Sequence, residues 1–149
     1  PGGPKEGPVP NFDIDAALKF DASEVGFPIR NPRVPDSWQP NSGTRTKVNG
    51  PGGGEVSTVG YITETGAFMQ LTQSSATEEA LVPSLFGNRS ATDAAQLDGH
   101  TWVIYGEQGS EPVWVADFTD VRILLRGAGT TDEFTELAHA VDGATPLKK

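Results

Sequence analysis

The sequence predicts an α+β domain with an antiparallel β-sheet of about five to six strands and helices packed mainly on one face of the sheet. Three observations support this fold class. Runs of β-branched and aromatic residues follow one another, which is typical of strands. Short loops separate these runs, and short loops connect antiparallel neighbours, since parallel strands need long crossovers. Finally, two sequences of the capping-box type precede short apolar stretches, as helix starts do.

The chain has 149 residues, which suits one domain with one core. Its first eleven residues hold four prolines, three glycines and, apart from the prolines, one apolar side chain, Val9. Such a segment buries too little surface to order itself, so residues 1–11 are interpreted as a flexible linker. An ordinary frayed terminus is the alternative. Residues 12–149 are predicted to form the single domain.

The first helix is predicted over residues 13–24, because Asp13 or Asp15 is a suitable N-cap and alanines and a leucine follow. Residues 34–38, Val-Pro-Asp-Ser-Trp, are predicted to form a turn that presents an aromatic side chain. A strand is predicted over residues 44–48. The N-terminal quarter therefore contributes one helix and one strand.

The middle of the chain is predicted to be a hairpin followed by a helix. Residues 56–64 and 67–73 are rich in β-branched and aromatic residues, with Thr65-Gly66 as the tight turn between them. Residues 75–78, Ser-Ala-Thr-Glu, match a capping box with serine as the N-cap. The ring of Pro83 is predicted to kink or end the helix that follows.

The last third is predicted to add three strands and a helix. The strands are expected at residues 101–106, 112–119 and 121–126, and the last of them alternates apolar and charged side chains. Residues 130–133, Thr-Thr-Asp-Glu, form a second capping box. After this box, four apolar residues share one helical face. They are Phe134, Leu137, Ala138 and Val141.

The net charge argues against two kinds of partner. Twenty acidic residues against eleven basic ones give a formal charge of −9. A surface this negative repels phosphate backbones, and the basic residues are scattered rather than gathered into a stripe. Nucleic acid is therefore not expected as a partner, nor is the surface of an anionic membrane.

The chain contains no cysteine, so disulfides, thiol nucleophiles and thiolate metal sites are excluded.

A family resemblance is carried by seven segments in a fixed order. They are residues 27–29, 34–38, 66–73, 97–102, 111–115, 121–127 and 133–141. Together they resemble the actinobacterial family catalogued as domain of unknown function 4245, over about residues 12–142. The ordered set carries the resemblance, since no single segment is diagnostic.

The resemblance implies a location. Members of that family typically carry one N-terminal transmembrane helix followed by an exported domain. No apolar run in this sequence approaches the roughly 18 residues that a membrane-crossing helix needs, and the chain begins with Pro1 rather than methionine. The resemblance therefore implies that an anchor precedes residue 1, that residues 1–11 tether it to the domain, and that the domain is extracytoplasmic. The family has no assigned activity and no catalytic motif to carry over.

Catalysis is the less favoured hypothesis. His100 and His139 are the only histidines, and neither has the spacing of a metal motif, so no metal site and no cofactor is predicted. A hydrolase-like enzyme of unrecognised class would need two converging titratable groups. The pair with the most plausible chemistry is His100 with a carboxylate from Asp98, Asp117 or Asp120.

Five aromatic residues are the candidate binding surface, since surface tryptophan and tyrosine often mark recognition sites. They are Trp38, Tyr61, Trp102, Tyr105 and Trp114. The alternative is that these large side chains fill a small core. We predict a binding or interaction domain, with a monomer favoured, that meets an envelope protein or a cell-wall component through this surface.

Overall fold

Seven antiparallel strands and three helices make up residues 12–149, the part of the chain that the computed structural model describes. The helices are α1 (Ile14–Glu24), α2 (Glu78–Phe86) and α3 (Thr131–Gly143). The strands are β1 (Gln39–Val48), β2 (Gly54–Ile62), β3 (Phe68–Ser74), β4 (Asp93–Leu97), β5 (His100–Tyr105), β6 (Val113–Asp117) and β7 (Arg122–Gly127). All seven strands lie in one sheet. The segment interpreted as a linker, residues 1–11, lies outside the described residues.

The predicted α+β class and antiparallel sheet are confirmed, but the sheet has seven strands rather than five to six. The strand missing from the prediction is β4. Its sequence, Asp-Ala-Ala-Gln-Leu, lacks the β-branched and aromatic residues that mark strands. It becomes a strand because the turn at Asp98-Gly99 folds it against β5, where Ala95 pairs with Trp102. Propensity alone does not identify such an edge strand.

The strand order is β1-β2-β3-β7-β6-β5-β4, so the sheet consists of two meanders joined side by side. Strands β1 to β3 form one meander and strands β4 to β7 form the other. The junction is the pairing of β3 with β7, in which Leu71 lies opposite Leu125 and Met69 lies opposite Gly127. This junction is the only ladder in the described sheet that pairs strands far apart in sequence.

Each face of the sheet has its own core. On β6, Trp114 and Ala116 belong to a large cluster that contains the buried residues of α1 and α3. Their neighbours Val113 and Val115 belong to a smaller cluster that contains the buried residues of α2. Successive side chains of a strand point to opposite faces, which explains this separation. Two helices thus cover one face, and the third covers part of the other.

The helix caps agree with the sequence at two of the three helices. Asp13 caps α1 and accepts a hydrogen bond from the N–H of Ala16 at 3.0 Å. At α2 the prediction of Ser75 as N-cap is wrong, because Thr77 is the cap and accepts from the N–H of Ala80. That helix also continues for three residues beyond Pro83, to Phe86.

The predicted capping box of α3 is present and reaches beyond its own helix. The N–H of Glu133 donates to Thr130 Oγ1 at 3.1 Å, and the N–H of Thr130 donates to Glu133 Oε1 at 3.0 Å. In addition, the hydroxyl of Thr65 donates to Glu133 Oε2 at 3.0 Å, which ties α3 to the β2–β3 turn. Burial by itself raises the pKa of Glu133, but hydrogen bonds from Thr130, Thr63 and Thr65 outweigh it and lower the pKa.

We expect Glu133→Gln to reduce the free energy of unfolding by about 1 kcal/mol at pH 7, as the loss of a helix cap does. A carboxylate whose pKa is lowered by folding stabilises the fold above its ordinary value of 4.5, and this contribution is lost as the pH falls through the folded pKa. Urea denaturation measures the free energy of unfolding of the variant and of the wild type at pH 7 and at about pH 3. The difference between the two proteins should be smaller at the lower pH.

The matched control is Asp132→Asn, which removes the same charge from an exposed position in the same helical turn. Asp132→Asn should reduce the free energy of unfolding by less than Glu133→Gln does. This reduction should be similar at the two pH values. A Glu133→Gln difference that stays constant between the two pH values would contradict the role assigned to the carboxylate.

Candidate binding groove

Four of the five aromatic residues predicted to form a binding surface lie in the core. The exposed fractions are 5% for Trp38, 1% for Tyr61, 1% for Trp102 and 5% for Trp114. All four belong to the cluster beneath α1 and α3. Their rings pack against other aromatic rings; the ring centroids of Trp114 and Phe134, for example, are 5.1 Å apart. Their burial corrects the prediction of an exposed aromatic surface. The physical reason is that α1 and α3 cover the face of the sheet to which Tyr61, Trp102 and Trp114 point, and Trp38 packs into the same cluster.

The fifth residue, Tyr105, lies half-buried on the opposite face of the sheet, beside α2. Its hydroxyl donates a hydrogen bond to Glu78 Oε2. Burial and this carboxylate both raise the pKa of Tyr105. The hydroxyl is therefore committed to a partner within the fold.

Trp38 and Tyr61 nevertheless line a groove between the N-terminal end of α1 and the segment of residues 31–40. The groove consists of two adjoining cavities of about 480 and 680 Å³. Both cavities are lined by Ile14, Asp15, Asp36, Trp38 and Pro40. We call these five residues, together with Tyr61 in the smaller cavity, the Trp38 groove.

The hydroxyl of Tyr61 is the unusual group in this groove. Tyr61 is 1% exposed, and its hydroxyl has no hydrogen-bond partner among the described residues. Burial raises its pKa, and the negative charge of Asp15 raises it further. A buried hydroxyl without a partner costs about 1–3 kcal/mol, so most native structures avoid one. Here it belongs to a side chain that lines a cavity.

Carboxylates from two elements surround the same groove. Asp15, in the first turn of α1, accepts a hydrogen bond from Asn31 Nδ2 at 2.6 Å. Asp36 lies in the turn before Trp38 and makes no ion pair or hydrogen bond with the rest of residues 12–149. Arg33 also lines the smaller cavity, and it too forms no ion pair within the described chain. The groove is thus lined by two buried aromatic rings, those of Trp38 and Tyr61, and by more acidic than basic side chains.

The sequence indicated part of this groove. The turn at residues 34–38 was predicted to present Trp38, and the N–H of Trp38 does donate to the carbonyl of Pro35 at 3.0 Å. The sequence did not indicate Asp15 and Asp36 as neighbours across a groove. Asp15 looked like a helix-capping residue and Asp36 like a turn residue, and no spacing along the chain joins them.

The predicted pairs of His100 with Asp98, Asp117 or Asp120 are not formed in the described chain. His100 Nδ1 lies 3.3 Å from Asp142 Oδ1 without hydrogen-bond geometry, and the ring stacks on Phe118 at 3.7 Å. Helix α3 brings Asp142 to His100, whereas the prediction considered only carboxylates near in sequence. His100 Nδ1 is buried, whereas the His100 side chain as a whole is 27% exposed.

Two of the aspartates predicted to pair with His100 have other partners. Asp98 Oδ2 lies 3.0 Å from His139 Nδ1, and this hydrogen bond raises the pKa of His139. Asp117 Oδ1 lies 3.1 Å from Arg122 Nη1, with which it forms an ion pair.

Among residues 12–149, no three histidine, aspartate or glutamate side chains are arranged to hold a metal ion. The described part of the chain also contains no helix with the length and apolar character to span a membrane.

Comparison with known proteins identifies a family for this chain. The family model described as "Protein of unknown function (DUF4245)" matches residues 1–141. The match confirms the family resemblance seen in the sequence, and it includes the segment interpreted as a linker. No curated protein and no solved structure matches the chain.

The two tyrosines of the chain allow a direct test of the unpaired hydroxyl. We expect Tyr61→Phe to raise the free energy of unfolding by about 1 kcal/mol, because it removes a buried polar group that has no partner. The matched control, Tyr105→Phe, removes a hydroxyl that is hydrogen-bonded to Glu78 and should lower the free energy of unfolding by about 1 kcal/mol. Thermal or urea denaturation measures both. Destabilisation of similar size in the two variants would show that the Tyr61 hydroxyl has a structural partner.

Proposed function

The chain belongs to the DUF4245 family, and we propose that it is an exported binding domain, held at the membrane by an N-terminal anchor, that recognises its partner through the Trp38 groove. The partner is an envelope protein or a cell-wall component. The observation that carries the binding role is that Tyr61 lines a cavity while its buried hydroxyl has no hydrogen-bond partner among the described residues.

The physical argument is one of compensation. An unpaired buried hydroxyl destabilises the free domain, whereas a ligand that pairs with it converts that loss into binding energy. The groove is also preshaped, since three prolines restrict the backbone of its wall. They are Pro32, Pro35 and Pro40. A preshaped site loses little conformational entropy when the ligand binds.

The location rests on the character of the N-terminal segment. Residues 1–11 have the proline- and glycine-rich composition of a tether, and the family resemblance implies a transmembrane helix before such a tether. A binding domain on a tether samples the space near the membrane surface, which suits a partner fixed in the envelope.

Site-specific photo-crosslinking in the full-length, anchored protein tests the groove. A crosslinking residue at Ser37, which is exposed and lines the larger cavity, should form a defined adduct in the native envelope. The same residue at Ser84, exposed on α2 across the sheet, is the matched control and should not. Mass spectrometry identifies the adduct. Equal labelling at the two positions, or none at Ser37, would speak against the groove as the recognition site.

Reporter fusions test the location. Alkaline phosphatase fused after residue 149 of the full-length protein should be active, because that enzyme matures only outside the cytoplasm. A fluorescent protein that matures only in the cytoplasm, fused at the same position, should stay dark. The reverse pattern would exclude an extracytoplasmic domain while leaving the groove open to a cytoplasmic partner.

A further inference from the structure

We infer that the group bound by the Trp38 groove is the cationic side chain of a lysine or arginine, presented on an extended segment of a partner protein. This inference rests on the proposed binding function and names the chemistry of the ligand. It is drawn from the polar groups that line the groove and from the groups they leave unpaired.

The groove is rich in hydrogen-bond acceptors. The phenol oxygen of Tyr61 has no partner, the carboxylate of Asp36 has none among the described residues, and the carboxylate of Asp15 is close enough to Tyr61 to raise its pKa. An ammonium or guanidinium group supplies several N–H donors and a positive charge at once. It therefore matches the unused carboxylate of Asp36 and the negative potential of the site.

The positive end of the α1 helix dipole lies at this groove and has to be taken into account. Asp13 caps that end, and Asp15 in the first turn offsets the rest of its partial charge. Asp36 comes from a different element and has no such structural role in the described chain. Its charge is the one that remains for a ligand.

Arg33 limits where the cation is placed. Arg33 lines the smaller cavity but not the larger one, so repulsion is weakest towards the larger cavity. The larger cavity contains Asp13, Asp15 and Asp36 without a basic residue. A cationic head at Asp36 would thus leave Arg33 able to contact a backbone carbonyl of the same ligand.

The dimensions of the groove favour a peptide segment over a small free cation. The smaller cavity alone has a volume of about 480 Å³, and the larger one extends it. A single ammonium ion would fill a small part of this space, whereas a lysine or arginine side chain with its flanking backbone fills more. A backbone carbonyl also provides the acceptor to which the Tyr61 hydroxyl can donate. The net charge of −9 attracts a basic segment from a distance.

Titration with blocked pentapeptides tests the inference. The probes are acetylated and amidated Gly-Gly-X-Gly-Gly, with arginine, lysine, glutamine or glutamate at X. Amide resonances of residues 31–40 and the indole resonance of Trp38 are followed by NMR. Short peptides are expected to bind with dissociation constants of about 1 mM, so they are titrated to about 10 mM. The arginine and lysine peptides should shift these resonances until the groove is saturated. Added salt should weaken the binding of both peptides.

Three variants assign the effect to the groove. Asp36→Asn should weaken binding of the arginine peptide about tenfold, as the loss of a charge pair does. Glu79→Gln removes the same charge from α2 on the opposite face and should leave binding unchanged. Tyr61→Phe should weaken binding several-fold while the free domain remains folded.

The outcomes separate the inference from the proposed function. If the glutamine or glutamate peptide binds as well as the arginine peptide, the groove binds but its cation preference is wrong. If no peptide shifts the groove resonances, the cationic segment is wrong, and the Ser37 crosslink decides independently whether the groove binds at all. An arginine-peptide affinity unchanged by Asp36→Asn would overturn the inference as well.

Discussion

The pairing of β3 with β7 is the constraint on which the rest of the structure depends. It joins two meanders into one seven-stranded sheet and places Leu71 opposite Leu125 at the centre of the larger core. Helices α1 and α3 come from opposite ends of the described chain, and both contribute to that core. Without this junction the helices would lack a common surface to pack against. The groove depends on it indirectly, since Tyr61 reaches the cavity from β2, the strand beside β3.

Local signals in the sequence were sufficient for most of the elements. The cap at Asp13, the box at Thr130 and the hairpin around Gly66 follow from short-range chemistry and appear as predicted. Two features were not accessible in this way. Strand β4 exists because of its neighbour rather than its composition, and Asp142 meets His100 because α3 folds over the sheet. Both depend on contacts that only the tertiary structure creates.

The aromatic residues show why burial cannot be inferred from residue type. The sequence placed Trp38 and Tyr61 on or near strands, and large side chains there suit either a core or a recognition surface. In the structure both rings are buried and both also line a cavity, and the Tyr61 hydroxyl has no hydrogen-bond partner among the described residues. An unpaired buried hydroxyl costs about 1–3 kcal/mol, which is a substantial part of the roughly 5–15 kcal/mol that stabilises a typical domain.

The division of the interior into two cores has a practical consequence. Val115 and Trp114 are adjacent in the chain yet pack in separate clusters, so the sheet insulates the α2 side from the side that contains the groove. Substitutions on α2 should therefore add to those near Trp38 without coupling, because energetic coupling needs shared contacts. The α2 surface is accordingly the place to immobilise the domain on a sensor chip or to attach a dye while its opposite side stays undisturbed.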